Sequence, residues 1–372
     1  MILYDPDLIQ AHTDYGIMIP ISPARASRII AFLTQTGVLR THPLKPVFDC
    51  PGARCFLGES PGPLINREDL ERVHQKEFIA MLYEEGPEGS QGLLKALLHA
   101  YELIDSQGQP HRYEPDRAVK PLKALFHLTL AQVEGTYLAC RLALKHEGPT
   151  PGFCYYLGGG MHHARYDQGA GFCLIHDIMI GARKLQAEHR ARGIWIIDLD
   201  AHKGCGTAEL VHFSRIRGEL GGNEGAAPAP EIRTLSIHMA KGWPLDEETL
   251  RAAPLGRAPW IKGDVEICIE AGAEDTYVPE LQKGLELLEK DSNLQPDLAI
   301  VIDGSDPYEH DGLPSSSLLK LSLDCCIERD RLIYQYLRQQ RIPSAWIMAG
   351  GYGERAWEPN GYFLQTLSEG NR

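Results

Sequence analysis

Ile194-Trp195-Ile196-Ile197-Asp198-Leu199-Asp200-Ala201-His202-Lys203-Gly204 is the stretch on which the reading of this chain turns. The apolar run Ile194–Ile197 has the make-up of a strand buried on both faces. It leads into two carboxylates and an imidazole at alternate positions. On extended backbone, residues two apart share a face, so Asp198, Asp200 and His202 crowd one side of a strand end. Such crowding is costly unless a cation or hydrogen bonds compensate it. An Asp/His set of this kind suits a hard or borderline metal ion. An aspartate at a strand end can also cap the next helix, but a cap accounts for one carboxylate, not for two and a histidine.

Outward from this stretch, short apolar runs alternate with longer amphipathic segments from about residue 120. The runs Phe153–Leu157, Ile194–Asp198, Ile232–His238, Val265–Ile269, Leu298–Asp303 and Ala345–Ala349 are expected to be strands. Pro121–His146, Asp177–Arg192, Thr276–Glu289 and Leu318–Gln340 are expected to be helices. This βαβ alternation points to an α/β fold with a mostly parallel sheet, covered by helices, whose ligands bind beyond the carboxyl ends of the strands. Residues 1–117 are less regular, with helical stretches at Pro23–Thr34 and Asn66–Glu85 and proline-rich turns around Pro43–Pro63. They read as helices and loops over the same sheet. Arg215–Pro230, rich in Gly, Ala and Pro, reads as a mobile surface insertion.

Composition narrows the class. With 372 residues, 43% hydrophobic and 23% charged, the chain is long enough for one large α/β unit. A net charge of −13 without a basic stripe argues against nucleic acid as main partner. It leaves room for a cationic substrate or a basic peptide. Nine cysteines, with no CxxC pair and several inside apolar runs, suit buried free thiols in a reducing compartment. The first residues show no secretory signal, and no apolar run reaches the ~18 residues of a membrane span, so a cytoplasmic location is the expectation.

Further strand ends carry chemistry. Gly158-Gly159-Gly160-Met161-His162-His163 places adjacent imidazoles after a glycine turn, where two histidines can share acid and base work. In Gly169–Cys173, Phe172 follows a glycine turn and suits either a channel wall or a plain core. Asp303-Gly304-Ser305-Asp306 follows the apolar run Leu298–Ile302. Asp306 joined to Asp200 and His202 gives three protein ligands with an open coordination position, the pattern of a catalytic zinc site. Ala349-Gly350-Gly351-Tyr352-Gly353 offers a phenol able to donate to a developing oxyanion.

GGGMHHA, GFC, DLDAHKG, TLSIH, AGAEDTYV, DGSDPYEHDGL and AGGYG, in this order over roughly residues 150–355, with the weaker RVHQKEFIAML at 72–82, resemble the histone deacetylase superfamily. The wording is most similar to class IV and its bacterial relatives. The resemblance implies an arginase-like three-layer α/β fold with about eight strands, residues 1–372 forming one catalytic domain. It implies zinc held by Asp200, His202 and Asp306. His162, supported by Asp198, and His163 would be the acid/base pair, and Tyr352 would polarise the acyl carbonyl. Phe172 and Trp243 would flank the substrate channel, with Gly160 and Gly171 lining it. Asp198, Asp200 and His202, with Ser236 and Ile237, match a structural potassium site.

Two positions depart from the family pattern. Cys205 stands where the second histidine normally has an Asp or Asn partner, and a thiol is a poor acceptor. Lys203 replaces a histidine or glutamine. For the rim aspartate that grips substrate, Asp105 is the candidate. The expected activity is zinc-dependent hydrolysis of acyl-lysine in proteins or peptides. The class IV likeness implies acyl groups longer than acetyl, for which the glycines at 158–160 and 350–351 and Ala349 leave space. A small acylated amine such as an acetylpolyamine is the alternative substrate. A ureohydrolase fits less well, and a metal-binding interaction protein remains a further alternative because of Cys205.

Overall fold

The computed structural model describes residues 1–8, 11–41, 47–60, 62–84, 86–105, 107–146, 148–220 and 229–369. Eight parallel strands form one sheet: β1 (Ile2–Leu3), β2 (Val47–Phe48), β3 (Phe153–Tyr156), β4 (Gly193–Asp198), β5 (Glu231–Met239), β6 (Val265–Ile269), β7 (Leu298–Asp303) and β8 (Ser344–Met348), in the order β2-β1-β3-β8-β7-β4-β5-β6.

The strand sequences explain the layering. In β4, Ile194 and Ile196 enter the core on one face while Trp195 and Ile197 enter the core on the other. In β7, Leu298, Ile300 and Ile302 face the first core, and Ala299 and Val301 the second. Both faces are apolar because helices cover both. The helices Leu125–Leu144 and Asp177–Ala187 fill one side, and Arg25–Gln35, Tyr277–Asp291, Leu323–Gln339 and Glu358–Glu369 the other. This is the expected three-layer arrangement. Among the described residues, no helix is long and apolar enough to cross a membrane.

The six expected strands occur within a residue or so of their expected bounds, and the four later helices fall inside or next to theirs. The N-terminal third departs from expectation. It does not merely cover the sheet: β1 and β2 extend it, Ile2 pairing with Tyr155 and Val47 with Ile2. Two-residue strands carry no periodicity to detect. Within the supposed turns at Pro43–Pro63, a helix runs from Cys50 to Leu57. Asp49 caps it by accepting from Gly52 N–H at 2.6 Å, and a proline occupies its first turn. The segment Asn66–Glu85 is two helices, Arg67–Glu71 and Lys76–Tyr83. The chain breaks between them because His74 and Gln75 turn their polar groups to other partners: His74 Nδ1 donates to Arg165 O at 2.8 Å and Gln75 N–H to Tyr166 O at 2.8 Å. In the Arg215–Pro230 insertion, Arg215 and Ile216 end the helix Cys205–Ile216, with Arg215 paired to Asp264 at 2.8 Å, so the first residues of that stretch are anchored. Residues 221–228 of the expected mobile insertion lie outside the described residues.

Candidate active site

The carboxyl ends of β3, β4, β5, β7 and β8 converge, and each delivers residues singled out in the sequence. Beyond β4, the period-two arrangement persists. Asp198, Asp200 and His202 are all buried. His202 Nδ1 lies 3.1 Å from Asp200 Oδ1 and 2.9 Å from Asp306 Oδ2. Ligand atoms of Asp200, His202 and Asp306 fall within 4.8 Å of one another. Asp306 Oδ1 accepts Ala201 N–H at 2.9 Å, while its Oδ2 is buried without a well-directed hydrogen bond. Two carboxylates, one with an oxygen that lacks a well-directed bond, and one imidazole fit a divalent cation of zinc type.

Electrostatics at this spot follow from the crowding. Burial raises the Asp306 pKa, and the Asp200 charge raises it further. Burial opposes charge on His202, yet the Asp200 and Asp306 carboxylates beside its Nδ1 push its pKa up to about 10. A cation would replace that proton as the neutralising charge.

The imidazole pair comes from the turn after β3. Asp177, at the start of its helix, accepts Gly160 N–H at 2.9 Å, Met161 N–H at 2.7 Å and the Thr136 hydroxyl at 2.5 Å, which fixes that turn. His162 Nδ1 donates to Asp198 Oδ2 at 2.7 Å, and its Nε2 lies 3.7 Å from Asp200 Oδ1. The rings of His162 and His163 are 3.8 Å apart. Burial disfavours charge on both. For His162, Asp198 and Asp200 overcome it and push the pKa up to about 9. For His163, the neighbouring His162 charge adds to burial, and its pKa falls well below the usual histidine range. Two adjacent imidazoles are thus driven to opposite protonation states.

Cys205 lies 3.9 Å from His163 Nδ1 and is fully buried. Burial raises its thiol pKa, so it meets His163 as a neutral, weakly bonding group. Lys203 turns away from the pocket. Its ammonium donates to Pro259 O at 3.2 Å and Ile261 O at 2.9 Å and pairs with Glu266 at 2.8 Å.

The walls follow from close approach. A Cβ on Gly171, whose φ is +54°, would sit 2.4 Å from the Trp243 ring and 2.6 Å from His163. Gly160 packs against Ala349 in the same way. Trp243 stands 4.7 Å from His163 and 5.8 Å from His202, centroid to centroid. The Phe172 ring stands 6.2 Å from that of Tyr352. Tyr352 N–H donates to Asp311 Oδ2 at 2.7 Å. Burial, then the Asp306 and Asp200 charges, hold its phenol pKa well above the ordinary value. In the β4–β5 register Asp198 pairs with Ser236, whose hydroxyl is buried without a partner beside Ile237. Such an orphan oxygen fits a cation of oxygen-cage type. Asp105 Oδ1 accepts Gln107 N–H at 2.9 Å and Gln109 N–H at 2.8 Å, capping its own turn.

Several residues had no signal in the sequence. Arg25, on a helix that reads as plain and amphipathic, sends a buried guanidinium under the site to Ala349 O at 2.6 Å, Ser305 at 2.9 Å and Asn360 at 2.8 Å. Arg112 places its guanidinium 5.4 Å from the Phe172 ring centroid and pairs with Glu102 at 2.7 Å. A cavity of about 200 Å³ is lined by His162, His163 and Tyr352 together with Gly160, Ala349, Leu128 and Tyr156.

A family model described as the histone deacetylase domain matches residues 19–360. Histone deacetylase 2 of Arabidopsis thaliana is 30% identical over 221 residues, which are 59% of this chain and 48% of that protein. The acetoin utilization protein AcuC of Bacillus subtilis is 28% identical over 201 residues, 54% of this chain and 46% of that protein. The matched region thus spans about half the length of these two relatives. Among solved structures, the acetylpolyamine aminohydrolase of Burkholderia pseudomallei superposes with a TM-score of 0.61 at 18% identity, over 98% of each chain. That likeness establishes the arginase/deacetylase type of fold.

Proposed function

This chain belongs to the histone deacetylase family, and from that premise we propose that it hydrolyses N-acyl amides, its substrates being acyl-lysine side chains of peptides or proteins. One observation carries the proposal: two buried donor groups, Asp200–His202–Asp306 and His162–His163–Asp200, share Asp200 at the floor of one cavity. A cation position lies directly beside an acid/base pair. In this reading Asp200, His202 and Asp306 hold a zinc ion, and Asp198, Ser236 and Ile237 contribute to a potassium site.

When bound, zinc supplies Lewis acidity that polarises the acyl carbonyl and acidifies water. The chain's own groups handle the protons. His163, kept neutral, takes a proton as the water oxygen bonds to the acyl carbon. His162, kept charged by Asp198, gives its proton to the nitrogen as the C–N bond breaks. Groups whose environments push their pKa values apart divide acid from base work in this way. The Tyr352 phenol, held neutral, donates to the oxyanion. Gly171 lets Trp243 approach, and Phe172 and Trp243 wall a channel for the alkyl stem of lysine.

The cavity beyond Gly160 and Ala349 supports acyl groups longer than acetyl, each buried methylene contributing about 0.8 kcal/mol. The nine free cysteines suit a reducing, cytoplasmic setting. A small acylated polyamine is the second reading, favoured by the net charge of −13 and by the solved acetylpolyamine aminohydrolase of like fold. The Arg112 guanidinium at the Phe172 wall is compensated by Glu102, so it favours neither substrate over the other. A non-catalytic metal-binding role leaves the opposed protonation of the two histidines without purpose. Zinc-loaded protein assayed on lysine peptides bearing acetyl, hexanoyl, decanoyl and myristoyl groups, and on acetylpolyamines, separates the readings. Peptide hydrolysis with kcat/KM sustained beyond acetyl is expected. Turnover of polyamines alone would replace the substrate, and inertness toward the whole panel would sink the enzyme reading.

A further inference from the structure

The cavity behind the candidate active site does not end in an apolar wall. Its lining includes the apolar Leu128, Met161, Met348 and Ala349 and also the polar Asp5, His12, Gln132 and Tyr156. Two polar atoms on these side chains have no partner. The Tyr156 hydroxyl is buried, the residue being 1% exposed, and so is His12 Nδ1; neither has a hydrogen-bond partner. An orphaned buried polar group is expensive, and native structures rarely keep one without a ligand or water to meet it.

From this geometry we infer that the cavity is a subsite for an acyl chain that ends in a neutral hydrogen-bonding group, a terminal hydroxyl, received by Tyr156 and His12. The inference rests on the acyl-amide reading of the site. A hydroxyl both donates and accepts, which suits a phenol and a neutral imidazole together. Burial keeps both partners uncharged: it raises the Tyr156 phenol pKa well above the ordinary value and pushes that of His12 down to about 4. A carboxylate tip is disfavoured by the Asp5 carboxylate, which lines the same cavity; the Arg25 guanidinium, bonded through its two terminal nitrogens to Ala349 O, Ser305 and Asn360, keeps only its Nε unpartnered. Glycines open the route. A Cβ on Gly158 would stand 2.8 Å from the Tyr156 ring, and one on Gly160 2.6 Å from Ala349.

The test compares kcat/KM for lysine peptides bearing hexanoyl, octanoyl and decanoyl groups with their ω-hydroxylated counterparts, on zinc-loaded protein. In a dry apolar cavity an added hydroxyl lowers kcat/KM roughly tenfold. Here the ω-hydroxylated peptide is expected to be preferred about fivefold at the chain length that reaches Tyr156, the size of one added hydrogen bond. In Tyr156→Phe and in His12→Leu that ratio should collapse toward or below one. Tyr156→Phe should melt no lower than wild type, since only an unpartnered hydroxyl is removed. The Kd ratio of the same peptide pairs on Tyr352→Phe reports the subsite independently of turnover. A hydroxyl penalty at every length, or a preference that survives Tyr156→Phe, overturns the inference and leaves the cavity end to water. Cleavage of plain acyl peptides alongside that penalty keeps the proposed function. Absence of cleavage of any acyl peptide removes that function, while the Kd ratio still judges the subsite.

Discussion

Tyr352 reaches the site from a glycine-flanked turn whose backbone is tied to Asp311, so its hydroxyl can be deleted without disturbing a ligand of the candidate cation position. Tyr352→Phe is expected to keep fold and metal content and to lose ~10²–10³ in kcat, the usual effect of removing one oxyanion donor. Near-normal turnover in this variant would take Tyr352 out of the mechanism. Cys205 makes the opposite kind of prediction. Cys205→Asp gives His163 Nδ1 a strong acceptor in place of a thiol 3.9 Å away. A charged partner raises the basicity of an imidazole, so kcat should rise and the acidic limb of the pH–rate profile should move upward. An unchanged profile would mean that the Trp243 contact alone orients the ring. At this scale, the residues legible from sequence were those whose spacing on a strand exit dictates their meeting, such as Asp200 and His202. Arg25 and Tyr156 were not legible: one sits in an ordinary amphipathic helix and the other in an apolar strand, and only the tertiary fold turns them to one cavity.

Between residue and fold stands the connection before β6. Lys203, one residue past His202, is 4% exposed and holds residues 259–261 through two carbonyls and Glu266. Arg257 fastens the same segment from the other side, to Glu209 and Asp167, both at 2.6 Å. Removing one member of a buried pair strands the other in low dielectric. Lys203→Met should therefore destabilise by about 3 kcal/mol in urea titration, with Glu266 left uncompensated. The double variant Lys203→Met/Glu266→Leu should recover part of the loss, and a neutral single variant would show the latch to be idle. Nothing in the sequence marked Lys203 as structural, since it stands inside a ligand motif, in place of a histidine or glutamine. Elements long enough to show a period were readable at this scale. Strands of two residues and a helix interrupted by a buried histidine were not, because their limits are set by partners distant in sequence.

For the molecule as a whole, acid is the informative stress. His74 is 1% exposed, and its Nε2 accepts His176 N–H at 3.0 Å, so the ring is neutral with its proton on Nδ1. Burial pushes its pKa down to about 4, and that of His176 falls well below the usual range from burial and the neighbouring His74. The unfolded chain binds protons at these rings near pH 6.5 and the folded chain does not. The stability that these two neutral rings contribute is therefore full above about pH 6.5 and declines as pH falls toward 4, by about 3 kcal/mol for His74 alone. Thermal melts between pH 7.5 and 5 should show this fall, and His74→Gln should flatten it. A wild-type Tm that holds constant across that range would contradict the assignment. Chelation is a separate whole-molecule test: where a cation neutralises Asp200 and Asp306, stripping it should lower Tm, and an unchanged Tm would argue against a resident metal.

The strand order has a consequence for synthesis. β3 carries His162 and His163 beyond its end, yet its neighbours in the sheet are β1, made first, and β8, made nearly last. β4 pairs early with β5 but waits for β7 on its other edge. Pairings so distant in sequence form late, because the intervening chain must close before they repay it. A ribosome-bound chain that has not yet emerged through Met348 holds β4, β5 and β6 as a nucleus with an open edge, and both halves of the acid/base and phenol machinery remain apart. Pulse-labelled hydrogen exchange during refolding should show β4–β6 amides protected before those of β3 and β8.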